Sequence, residues 1–152
     1  MESFLHLIII KLAATTNNTF TFYLAGHSYG AQYYGNIFPA ASLLSSIDQI
    51  NNDPHSKLLI LLGDIVYHAN SQNFTIFNNS VSNKLKLPIF NAIGNHDTSD
   101  EYIKRYGNST YYSFDIKTNR FIFLDTEINN GNIIDDQLLF LTNAIKRTDK
   151  IK

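Results

Sequence analysis

The chain predicts an α/β fold built on a mostly parallel sheet. Leu58-Leu59-Ile60-Leu61-Leu62 is an unbroken apolar run that stops at Gly63-Asp64. Such a run, ended by a turn signal, marks a strand buried on both faces, as in the middle of a parallel sheet. The arrangement recurs at Leu87-Pro88-Ile89-Phe90-Asn91-Ala92-Ile93, which is followed by Gly94-Asn95-His96-Asp97. It occurs again at Phe20-Thr21-Phe22-Tyr23-Leu24-Ala25, followed by Gly26-His27-Ser28-Tyr29-Gly30. Apolar residues at helical spacing separate these runs. The alternation argues for parallel strands joined by right-handed helical crossovers.

The chain opens with an apolar segment, Phe4 to Ala14, interrupted by His6 and Lys11 and too short to span a bilayer. Its end at Ala13-Ala14-Thr15 fits the cleavage side of a secretory signal, but the preceding Glu2 has the wrong charge for one. A first edge strand fits as well. Residues 1–19 are therefore set apart as a leader or weak signal segment, and residues 20–152 as the domain. A signal at 4–14 implies secretion, and its absence a cytoplasmic protein.

Phe20 to Ala25 carries the aromatic and β-branched residues of a strand. A loop with Tyr33, Tyr34 and Gly35 follows. Pro39 then opens a helix with Leu43, Leu44, Ile47 and Ile50 on one face, and Asn51-Asn52-Asp53-Pro54 ends it. Beyond the central strand, Phe74, Phe77, Val81 and Leu85 form a helical core stripe. After the strand ending at Ile93, Ser99 caps a short helix through Tyr106, with Glu101 in its first turn. Thr110 to Ile116 and Arg120 to Asp125 read as strands, and the turn-like Lys117-Thr118-Asn119 makes them an antiparallel hairpin. Asp135 or Asp136 caps a last helix, with Leu138, Leu139, Leu141, Thr142 and Ile145 facing inward and Lys146 and Arg147 near its end. The order is β-α-β-α-β-α-β-β-α.

At 152 residues the chain suits one domain with a sizeable core. Its formal net charge is −1, with no long run of like charges, so no nucleic-acid-binding surface is indicated. The absence of Cys excludes disulfides and thiolate metal sites. Asn17, Asn73, Asn78 and Asn108 each begin a glycosylation-type triplet, which in so Asn-rich a chain is expected by chance.

The chemistry gathers where the strands end. Open α/β sheets bind ligands beyond the carboxyl ends of their strands. Adjacent parallel strands would bring Asp64, Asn95 and His96 together there. A carboxylate on a tight Gly turn can bridge two cations, an amide oxygen is a neutral hard ligand, and imidazole suits Zn, Fe or Mn. Paired metals clamp a phosphoryl group and activate water. A nearby His can protonate the leaving oxygen. Asp97 either orients that His or caps the next helix. Taken singly, each of these residues is more often a turn or loop residue; the ordered combination at successive strand ends carries the reading.

Gly63-Asp64-Ile65-Val66-Tyr67 and Gly94-Asn95-His96-Asp97 resemble the second and third signature blocks of the calcineurin-like metallophosphoesterases. The run Tyr111-Tyr112-Ser113-Phe114-Asp115, then Phe121-Ile122-Phe123-Leu124-Asp125-Thr126 and Gln137-Leu138, is similar to the family's downstream part. The resemblance covers about Phe20 to Arg147, and the tyrosine after Asp64 is similar to the purple acid phosphatase branch. It implies a partial four-layer α/β/β/α sandwich that hydrolyses phosphoric esters with two divalent or trivalent ions of Fe, Zn or Mn. It implies metal ligation by Asp64, which would bridge the ions, and by Asn95 and Tyr67, with His96 as proton donor.

The family's opening block supplies an Asp where this chain has His27, so the resemblance implies either a nitrogen ligand at His27 or a weakened first site. Its later blocks supply further His, including a Gly-His-x-His, whereas the last of the 5 histidines here is His96. The resemblance therefore implies the N-terminal half of such a domain, with the C-terminal half as a missing partner and weak or no activity alone. The alternative is a non-catalytic binding or scaffolding module that keeps the fold. A flavodoxin-like nucleotide binder fits less well, because no Gly-rich phosphate loop leads into the first helix.

Overall fold

The computed structural model describes residues 7–12, 20–30 and 37–146. The segments 1–6, 13–19, 31–36 and 147–152 lie outside the described residues, and with them Tyr33, Tyr34, Gly35, Asn17 and Arg147. The main sheet runs in the order β1 (Leu7–Leu12), β2 (Phe20–Ala25), β3 (Ser56–Leu62), β4 (Ile89–Ala92). Strands β2, β3 and β4 are parallel, and β1 pairs antiparallel with β2 along the edge. The early apolar segment thus supplies an edge strand. Helices α1 (Ala41–Asn52), α2 (Ser71–Phe77) and α3 (Asp100–Tyr106) lie between or after the parallel strands. A hairpin of β5 (Tyr112–Ile116) and β6 (Asn119–Phe123) forms a second sheet, followed by α4 (Asp135–Lys146). From β2 onward this is the predicted order.

Successive side chains of a strand point to opposite faces, and two cores result. Tyr23, Ala25, Leu59 and Leu61 pack on the helix side with Leu43, Ile50, Phe74, Phe77 and Val81. Phe20, Phe22, Leu58 and Ile60 pack on the other side with Phe123 of the hairpin. β3 is buried on both faces from Leu58 to Leu61, as its composition predicts, but its last residue, Leu62, is 51% exposed. The layers are helices, main sheet, hairpin and then α4, which meets the hairpin through Tyr111–Phe140 and Arg120 Nη1 donating to the Ala144 carbonyl at 2.7 Å. The fold is a mixed α/β sandwich. Among the described residues no helix is long and apolar enough to cross a membrane.

Two side chains bind the hairpin and α4 to main chain elsewhere. The Tyr112 hydroxyl accepts from Asn91 N at 3.1 Å and donates to Asn91 O at 2.9 Å, so one phenol satisfies both polar groups of a β4 residue. Gln137 does the same for Asp125, accepting from its N at 2.6 Å and donating to its O at 2.9 Å. Tyr112→Phe keeps the ring and strands both groups of Asn91. An unmade bond at a buried polar group costs about 1–3 kcal/mol, so a loss of stability of that order is expected in denaturant titration.

Three local expectations are corrected. Pro39 does not open α1, which begins at Ala41; Pro39 instead forms a bridge with Tyr29. The inward face of α4 is Gln137, Phe140, Leu141 and Ala144, at i, i+3, i+4 and i+7, while Leu138, Leu139 and Ile145 are 48%, 59% and 62% exposed. The Gln137–Asp125 pair sets that rotation, and the leucines follow from it. Asp135 and Asp136 lie within the first turn rather than capping it. Ser99 does cap α3, its Oγ accepting from Tyr102 N at 3.1 Å.

Candidate active site

The site is built where β2, β3 and β4 end. Just past β2, His27 has φ 49°; just past β3, Asp64 has φ 54°. Left-handed backbone at a residue with a side chain is uncommon; it costs about 1–3 kcal/mol and so persists only where the surroundings impose it. Here the same turn is imposed twice, side by side. Gly63 precedes Asp64 at φ 83°, a conformation that glycine adopts freely. A side chain on Gly94 would collide with the carboxylate and backbone nitrogen of Asp64. The two Gly signals of the sequence are therefore two halves of one close backbone approach.

Asp64 stands at the centre and is buried. Its Oδ2 lies 3.0 Å from His27 Nδ1, and its Oδ1 accepts from the backbone N–H of His96 at 3.2 Å. Residues from all three strand ends thus meet on one carboxylate. His96 Nδ1 lies 2.7 Å from the Tyr67 carbonyl. A carbonyl only accepts, so Nδ1 carries the hydrogen and Nε2 is the nitrogen left for proton transfer. Tyr67 is half-buried, its ring 5.1 Å from that of His96 and 4.3 Å from that of His68. Asn95 is exposed between Gly94 and His96.

Asp97 neither orients His96 nor caps α3. It is wholly buried, and its two oxygens accept from three backbone N–H groups: Ile65 at 2.8 Å and Val66 at 3.3 Å on Oδ1, and Gly94 at 3.1 Å on Oδ2. It pins the loop after β3 to the loop after β4. Burial pushes its carboxyl up to about 6, against the downward pull of the three N–H donors.

A family model for the calcineurin-like phosphoesterases matches residues 14–152. The chain belongs to that family. No curated protein and no solved structure matches it. For a calcineurin-like phosphoesterase the expected group is a metal centre, and the donors at the strand ends suit one. The 3.0 Å between His27 Nδ1 and Asp64 Oδ2 is a hydrogen-bonded ion-pair distance, shorter than the roughly 3.3–3.6 Å between two donors on one tetrahedral ion with bonds of about 2.0–2.2 Å, so the pair would have to open to share one. Carboxylate, imidazole, amide oxygen and phenol together suit Fe, Zn or Mn. Among the described residues no group of three or more His, Cys, Asp or Glu is placed to hold an ion. The donor chemistry at the strand ends of this phosphoesterase chain thus suits an ion, while the placement of the described residues shows no assembled site.

Sequence reasoning singled out Asp64, Asn95, His96, Tyr67 and His27. Four of them, all but Asn95, are tied to one another by the contacts above. It missed Tyr29, whose ring lies 5.1 Å from His96 and 5.6 Å from Tyr67. The only signal was an aromatic residue inside a Gly-bounded loop at a strand end.

Proposed function

We propose that this chain hydrolyses phosphoric esters with metal assistance, and that Asp64 is the central ligand. The observation that carries the reading is the convergence on Asp64: a strained turn presents one buried carboxylate to His27 and to the His96 backbone. Asp64, Asn95, Tyr67 and His27 would hold the ions, two as in the family generally. Bound there, they would polarise the phosphoryl group and generate a nucleophile from water at neutral pH. In its doubly protonated form His96 would keep one hydrogen on Nδ1 for the Tyr67 carbonyl and give the other, on Nε2, to the leaving oxygen, ending as the neutral ring. The Gly63 and Gly94 contact keeps Asp64 and His96 in one rigid frame, which is what positioning requires.

A second reading, a non-catalytic relative that keeps the fold, is favoured by the one-sided ligand set. The last histidine is His96, and metal binding depends on ligand number and geometry. For these 152 residues by themselves, weak turnover is the expected result. The test is elemental analysis of the purified protein, with hydrolysis of a phosphomonoester and a phosphodiester measured after addition of Zn²⁺, Mn²⁺ or Fe³⁺ and again after chelation. Bound ion together with slow, chelator-sensitive hydrolysis supports the enzyme. Absence of both supports the second reading.

A further inference from the structure

The backbone around Tyr29 is held on both sides. Gly30 N donates to Phe38 O at 2.8 Å, Ala40 N donates to Ser28 O at 2.9 Å, and residue 29 itself bridges to Pro39. Tyr29 therefore projects from a small rigid ladder rather than from a free loop. Its half-buried ring touches each of the rings that matter at the strand ends. It lies 5.1 Å from His96 at 45°, 5.6 Å from Tyr67 at 61° and 5.8 Å from His27 at 88°. Its hydroxyl lies 3.4 Å from His27 Nδ1, the nitrogen that also faces Asp64. Burial, reinforced by the negative charge of Asp64, raises its ionisation above the usual tyrosine range.

His96 needs a second hold. Its bond to the Tyr67 carbonyl holds Nδ1 and Cβ tethers the other end, so the freedom left to the ring is a tilt about the line between them, which neighbouring rings restrict. Those neighbours are Tyr67 and Tyr29, each at 5.1 Å. Tyr67 sits on the same loop as the carbonyl, so Tyr29 is the contact that comes from another strand end. We infer that Tyr29 is a positioning residue, whose ring sets the His96 imidazole and whose hydroxyl sets the His27 imidazole. Its bearing on catalysis rests on the phosphoesterase reading above; its effect on the two imidazoles does not.

The test compares Tyr29→Phe with Tyr29→Leu in the 152-residue protein. The imidazole NMR signals of His27 and His96 are assigned by single histidine replacements. Tyr29→Phe keeps the ring, so His27 signals shift and His96 signals stay in place. Tyr29→Leu removes the ring, so both sets shift. In a phosphomonoester assay Tyr29→Leu lowers kcat about tenfold with KM within about twofold, because the affected group acts in proton transfer, and Tyr29→Phe recovers most of that loss. His96 signals in Tyr29→Leu that match the parent protein would overturn the inference. So would a Tyr29→Phe variant that shifts both sets or neither, a comparison that needs only the conservative variant to fold. If no form of the protein turns over substrate, the phosphoesterase reading fails, while the signal shifts still decide the role of Tyr29.

Discussion

Asp64→Asn is expected to leave the fold intact and to lower affinity for a first-row divalent ion by about a hundredfold or more. Even an outer partner of a metal ligand is worth about 10–100-fold in affinity, and Asp64 is the direct ligand in the proposal above. The choice of asparagine isolates the charge. Asn tolerates the left-handed backbone at φ 54° nearly as well as Asp does. It also keeps an oxygen able to accept from His96 N. With that oxygen on His96 N, the NH₂ takes the place of Oδ2 and faces His27 Nδ1, to which it donates once that nitrogen carries no hydrogen. What is lost is the negative charge on which a cation depends. Asp64→Ala adds backbone strain of about 1–2 kcal/mol and is the poorer test. Isothermal titration with Zn²⁺ or Mn²⁺ reads the result. Affinity unchanged in Asp64→Asn would reduce Asp64 to a turn residue paired with His27, and the enzyme reading would fall with it.

The largest stability effect is expected at Asp97. Its carboxylate serves three backbone N–H groups from two loops, with no exposure to water. In Asp97→Ala those donors lose their acceptor together. At about 1–3 kcal/mol for each unsatisfied buried group, partly relieved by water entering the gap, a loss of about 3–5 kcal/mol follows. That is a large part of the stability of a typical domain. Asp97→Asn is milder, because its amide oxygen still accepts on one side while its NH₂ faces the Gly94 N–H, donor against donor. Chemical denaturation of the two variants should rank Ala below Asn below the parent. Equal stability of all three would mean that Asp97 is not what joins the loops.

The framework was legible in the sequence where one local pattern implies one environment. An apolar run bounded by glycine leaves few choices, and β2, β3 and β4 lie where their runs predict. The hairpin was legible because its strands flank a short turn, in which Lys117 takes φ 56°. Other parts depend on distant partners. The rotation of α4 is set by Gln137 reaching the main chain of Asp125, and a helix with apolar residues on several sides does not announce which of them turns inward. Asp97 looks like a helix cap because it stands just before Ser99, but its acceptor role joins residues 31 and 32 positions away. Tyr29 belongs to no periodic pattern. Its place among the rings exists only once three strand ends are side by side.

The crowding of aromatic rings at those strand ends also has an optical consequence. The chain has 9 tyrosines and no tryptophan, so its intrinsic fluorescence is tyrosine emission, with no indole to mask it. Tyr29 and Tyr67 stand in ring contact at 5.6 Å, and both pack against His96, whose backbone N–H meets Asp64. A paramagnetic ion such as Mn²⁺ held there would quench these two of the 9 tyrosines most strongly, and comparison with Tyr29→Phe separates that loss from quenching at the others. The protein thus carries its own dye at the place where occupancy matters, and no label need be attached to follow it.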